Sequence, residues 1–252
     1  VGFYSAHAAA RMRAFEYPPA DGSMANFKTH LQVASISSGL ASSLFYSSGH
    51  LTAGEAFLCW VMGTFGGILP DIDSDNSHSL GILFGAFSII ACGFTAVAWI
   101  DVWPLAWVWA ACVLVFVVVQ FGVRQIFARF TVHRGIFHSV LACFLFMFSA
   151  AAGAAFLGAS GTTSWFLALF LGFGYCVHLL LDEIFGVDFM NVAIKRSFGS
   201  AFKLFDYRNM TTSAIMAVVV IGLFFLTPSY AEIISILFDR DTYLTVVDGV
   251  DW

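Results

Sequence analysis

The chain has 252 residues, 60% of them hydrophobic and only 11% charged, with 29 phenylalanines and a net charge of −5. An ordinary soluble domain carries about 25% charged residues, so this composition excludes one and predicts an all-α, polytopic transmembrane helix bundle. The acidic balance argues against nucleic acid as a partner. The five cysteines all sit in apolar runs without a CxxC pair, which argues against a disulfide framework or a zinc-thiolate site.

Residues 1–23 are mixed in character and contain prolines. They lack the uninterrupted apolar core of about 7–15 residues that marks a signal peptide, so they read as an N-terminal extension outside the fold. Met24 reads as the start of a single transmembrane helical domain over 24–252. A spanning helix needs roughly 20 apolar residues, which places seven spans at 31–48, 53–69, 79–100, 104–123, 139–158, 163–185 and 211–228. The first is rich in Ser and Gly, the small residues by which membrane helices approach closely, and is expected inside the bundle, away from lipid. Between spans 6 and 7, Phe198, Ala201, Phe202 and Phe205 follow one helical face, accompanied by Lys195, Arg196, Lys203 and Arg208. That pattern predicts an amphipathic helix lying on an anionic leaflet. The tail, 229–252, carries no assigned chemistry.

Cytoplasmic loops are enriched in Lys and Arg. Lys28 precedes span 1, Arg124, Arg129 and Arg134 lie between spans 4 and 5, and Lys195, Arg196, Lys203 and Arg208 lie between spans 6 and 7. Alternating spans put all of these on one side, whereas loops 49–52, 101–103 and 159–162 have no Lys or Arg. The expected orientation is N-terminus cytoplasmic and C-terminus outside.

The same alternation collects the residues able to carry chemistry at the cytoplasmic ends of their helices. His178 and Asp182 are spaced i, i+4, so a helix projects both from one face. Asp71 and Asp73 follow Pro70, which favours a turn that lets both face one cation, with Asp75 and His78 close behind. His133 and His138 bracket Gly135 ahead of span 5, and Arg134 supplies a guanidinium suited to phosphate or carboxylate oxygens. His30 stands at the start of span 1. His50 and Glu55 fall on the opposite side and are set aside. Aspartates at a membrane boundary are costly unless paired, hydrated or coordinating a cation, so the cluster is a candidate site.

Lys28-Thr29-His30, Pro70-Asp71-Ile72-Asp73-Ser74, His133-Arg134-Gly135 with His138-Ser139, and His178 followed by Asp182 together resemble the motifs of the YdjM-like family. These are bacterial inner-membrane proteins regarded as metal-dependent hydrolases. The resemblance covers Met24 to about Lys203. It implies a multi-pass inner-membrane protein with a metal centre.

On this reading His30, Asp71, His133, His178 and Asp182 hold one or two divalent cations, zinc first, with manganese or iron also fitting the imidazole and carboxylate donors. Asp73, His138 and Arg134 are the catalytic candidates. A metal-activated water, with a pKa lowered toward about 7, would give up its proton to a neighbouring carboxylate, and Arg134 would bind phosphate oxygens. Membrane lipid is then both the environment and, as a phospholipid or another phosphoester or ester, the expected substrate class at the cytoplasmic leaflet. A non-catalytic, metal-stabilised scaffold or partner-binding protein is the alternative. An ion or proton pathway is disfavoured, because all the ligands share one face.

Overall fold

The computed structural model describes residues 27–73, 77–125, 136–185, 187–188, 193–194, 203–207 and 209–248. Over these residues the fold is all-helical apart from one two-residue antiparallel pair. The elements are α1 Phe27–Ser47, α2 Ala53–Gly66, a 3-10 turn Pro70–Asp73, α3 Ser77–Trp99 and α4 Leu105–Val117, which widens into a π-helical stretch Val118–Val123. There follow α5 Val140–Phe156, α6 Gly161–Phe185, the pair β1 Val187–Asp188 and β2 Ala193–Ile194, then α7 Met210–Phe224, α8 Ala231–Phe238 and α9 Arg240–Asp248. Helices α1 to α7 lie on the seven apolar segments. Among the described residues, two stretches, Leu105–Val123 and Gly161–Phe185, are long and apolar enough to cross a membrane.

Local chemistry sets the helix boundaries. Thr52 and Glu55 form a reciprocal capping box at the start of α2. The Ser139 hydroxyl accepts from the Ala142 N–H at 3.2 Å to cap α5, and Asn209 accepts from the Thr212 N–H at 3.2 Å to cap α7. Gly49 and Gly158, at φ 77° and 91°, turn the chain after α1 and α5 in the left-handed region that glycine tolerates.

Helix α6 packs against α1, α2 and α5, and its mates α2 and α5 in turn pack against α1 and α7. The α2–α6 crossing is a backbone contact. A Cβ at Gly174 would overlap the Gly63 carbonyl, and one at Gly66 would overlap the Leu171 carbonyl. Glycine at both positions removes the side chains that would otherwise hold the helices apart. Two apolar clusters result. One, with Leu69, Leu80, Phe84, Tyr175 and Leu179, fills the end of the bundle where α6 finishes. The other, with Cys59, Trp165, Phe166, Phe170 and Ile233, fills the end where α6 begins.

Two expectations are corrected. Helix α1 is not enclosed: it buries the stripe His30, Ala34, Ser38 and Ser42 but presents Ile36 and Leu40 at 65% and 69% exposure. Its small residues serve one face only. Nor is there an amphipathic helix at 203–207, where the described residues are non-helical, or at 187–188 and 193–194, which pair as strands. The carbonyls of Lys203 and Leu204 instead accept from the Val140 and Leu141 N–H groups at 3.0 Å each. First-turn helical N–H groups have no partner within their own helix, and this strap supplies one. Phe198, Ala201, Phe202, Lys195, Arg196 and Arg208 lie outside the described residues.

Candidate metal centre

Four elements deliver side chains to one end of the bundle. The last turns of α6 carry His178 and Asp182, the 3-10 turn after α2 carries Asp71, the residue before the α5 cap is His138, and the first turn of α1 carries His30. They meet. His178 Nε2 lies 3.4 Å from Asp182 Oδ2 and 3.7 Å from Asp71 Oδ1. His138 Nε2 lies 3.5 Å from Asp182 Oδ2 and 3.8 Å from Asp71 Oδ1. Each of the two nitrogens therefore lies within 3.8 Å of both oxygens.

The tautomer of His178 gives this arrangement its meaning. Its Nδ1 is 2.7 Å from the carbonyl of Gly67. A carbonyl only accepts, so Nδ1 carries a proton, and whenever the ring is neutral it is Nε2 that presents the lone pair. That atom is in a fully buried side chain, at 0% exposure, and finds no hydrogen-bond partner. A lone pair facing two carboxylates deep in a protein is costly unless a positive charge stands between them. A proton on Nε2 would serve one oxygen at a time, whereas a cation at the centre serves all four atoms. Ligands held about 2.1 Å from a tetrahedral ion are roughly 3.4 Å from one another. The four nitrogen–oxygen separations, 3.4 to 3.8 Å, are of the size that ligands sharing one ion have. Imidazole with carboxylate is a donor set for zinc, manganese or iron, and the residues present thus fit a divalent cation.

His30 stands behind this cradle. Its Nε2 contacts Asp182 at the other oxygen, Oδ1, at 3.2 Å, and its ring stacks on His178 with centroids 3.8 Å apart. It also makes a three-residue group of metal-binding type with His178 and Asp182, overlapping the group of Asp71, His138 and His178. His138, expected beside the metal as a catalytic group, lies among the ligand atoms. His30, on α1, reaches Asp182 at Oδ1, and the loop before α5 carries His138 to within 3.8 Å of both carboxylates. The side chains are sealed on the His178 and His30 side and open on the other, where Asp71 and His138 are each 24% exposed.

His133, Arg134 and Asp75 lie outside the described residues, as do the side chains of Asp73 and His78, although the Asp73 backbone closes the 3-10 turn. Gly67 was missed by reasoning from side chains, since it acts through a carbonyl. The Gly-Gly pair at the end of α2 is the trace it leaves in the sequence. Tyr175, three residues before His178, was also missed; its hydroxyl donates to the Phe137 carbonyl next to His138. Comparison with protein-family models, curated proteins and solved structures finds no match to this chain.

Proposed function

We propose that this chain is a multi-pass, seven-span membrane protein of the bacterial inner membrane, oriented with its N-terminus cytoplasmic and its C-terminus outside. In this reading it is a metal-dependent hydrolase acting on a phospholipid or another phosphoester or ester at the cytoplasmic leaflet. The observation that carries the metal reading is the buried His178 Nε2 lone pair, turned on the carboxylates of Asp71 and Asp182. A divalent cation at that point supplies Lewis-acid polarisation of a water and of the ester oxygen.

The chain's own groups do the remaining work. His178, Asp182, Asp71 and His138 hold the cation, the Gly67 carbonyl keeps His178 in the ligating tautomer, and His30 orients Asp182 through its far oxygen. Asp73 and Arg134, from sequence position, are candidates to accept a proton and to bind phosphate. The membrane reading is supported by α4, whose Trp107, Trp109, Val113 and Leu114 are exposed and apolar, and by the motif resemblance noted in the sequence.

Four protein donors would be enough to close a structural zinc site, which favours a second reading, a metal-stabilised scaffold. The exposure of Asp71 and His138 favours the first, because reactants have a side from which to arrive. Elemental analysis of detergent-purified protein, beside a His178→Ala/Asp182→Ala variant, tests the metal. Near-stoichiometric zinc, manganese or iron lost in the variant is expected. A folded wild type that stays metal-free after reconstitution with each ion overturns the reading. Hydrolysis of phospholipid and phosphoester substrates by the loaded protein, absent in the variant, separates enzyme from scaffold.

A further inference from the structure

The cradle takes its four donors from elements of unequal rigidity. His178 and Asp182 project from adjacent turns of α6, so helix geometry fixes their separation. His138 does not share that advantage. It sits on the non-helical approach to α5, and its imidazole must arrive within a few tenths of an ångström of its place to complete the set.

Three tethers hold that approach. Tyr175 donates through its hydroxyl to the carbonyl of Phe137, immediately before His138. Ser139, immediately after it, donates to the Ile136 carbonyl at 2.6 Å while capping α5 through the Ala142 N–H. The Lys203 and Leu204 carbonyls then fix the next two N–H groups, those of Val140 and Leu141. Tyr175, His178 and Asp182 stand at i, i+3 and i+7, on one face of α6. The tyrosine is fully buried among Leu69, Leu179 and Ala142, with its ring 6.0 Å from that of Phe146. One helix face thus carries two ligands and also the group that holds the third.

We propose that Tyr175 and Ser139 are positioning residues that act through His138: they pin the Phe137 and Ile136 carbonyls just before it, and so set the distance of a loop-borne ligand from two helix-borne ones. This rests on the metal reading above. A buried tyrosine needs its hydroxyl satisfied, and many carbonyls would serve; this one uses the carbonyl next to a ligand. Partners that orient metal ligands typically change affinity 10–100-fold when removed.

The test is cation affinity of the full chain in detergent, read by zinc titration and by the visible spectrum of the cobalt-substituted protein, with thermal unfolding measured alongside. Tyr175→Phe, which keeps the packed ring, is expected to weaken zinc binding about 10–100-fold and to alter the cobalt spectrum. In a His138→Ala background the same change should do nothing further, because the route through His138 has gone. Should Tyr175→Phe not fold, Ser139→Ala gives the same cycle from the other side of His138, and Ser139→Thr, which keeps the hydroxyl, should restore affinity. Unchanged affinity in Tyr175→Phe, or a loss that persists undiminished without His138, overturns the inference while leaving the metal site standing. A wild type that binds no metal overturns the metal reading itself.

Discussion

The two ends of the bundle hold similar polar residues and treat them in opposite ways. At the end where α6 begins, Glu55 accepts from Thr52 and, at 2.6 Å, from the Thr163 hydroxyl, and Glu232 accepts from Thr162. His50 faces the Thr242 hydroxyl at 2.9 Å, and that hydroxyl donates onward to the Ile236 carbonyl at 3.2 Å. Donors there meet acceptors. At the end where α6 finishes, two carboxylates converge with three imidazoles, and the fully buried His178 Nε2 has no donor to accept from. A cluster that closes its own hydrogen bonds is fastening helices together. One that leaves a buried imidazole nitrogen facing carboxylates could hold something positive that the described residues do not supply.

The largest effect expected from breaking this contrast is that of Gly174→Ala, which acts on the scaffold and the site together. The new methyl would overlap the Gly63 carbonyl, so α2 and α6 must separate, and the Gly67 carbonyl moves away from His178. Overpacking of this kind costs about 1–3 kcal/mol, to be read as a lowered thermal midpoint in detergent, and metal content should fall with it. Gly153→Ala, where nothing stands within 4 Å of the added atom, is the matched control and should leave both unchanged or slightly improved. A Gly174→Ala variant with full metal content would remove helix contact as the device that orients His178.

His30→Ala comes next. Its Nε2 touches Asp182 at Oδ1, not at the Oδ2 that meets His178 and His138. Its loss should therefore weaken zinc about 10–100-fold, the range for groups that orient a ligand, and not abolish binding as His178→Ala is expected to do. A His30→Ala protein as empty of metal as His178→Ala would move His30 into the ligand set proper, in line with its sequence-based assignment.

Much of this was legible in the sequence, for reasons that particular residues make plain. Apolar runs of spanning length located α1 to α7, because helical hydrophobicity needs no tertiary information. The i, i+4 spacing of His178 and Asp182 and the turn at Pro70 placed three donors before any contact was known. What escaped depended on backbone groups and on partners distant in sequence. The Phe205 face reads as a continuing helix until the unpaired N–H groups of Val140 and Leu141 claim the carbonyls of 203 and 204. The Ser-rich α1 reads as wholly interior because composition does not say which flank stays uncovered. That His138 joins His178 beside Asp71 and Asp182 depended on which segments end there, a matter of packing.

The smallest effect is expected at the opposite end, and it sharpens the comparison most. Glu55→Gln keeps the shape of the capping box and replaces one charged acceptor oxygen by an amide, so the hydroxyls of Thr52 and Thr163 lose part of their bonding to it. A hydrogen bond of this sort contributes about 0.5–1.5 kcal/mol, so the thermal midpoint should fall modestly. Metal content and zinc affinity should not move at all, since no buried polar side chain described at that end lacks a partner. If Glu55→Gln depleted the metal, the two ends could not be assigned separate duties, and the matched hydrogen bonds around Glu55 would have to be part of the same functional unit as His178.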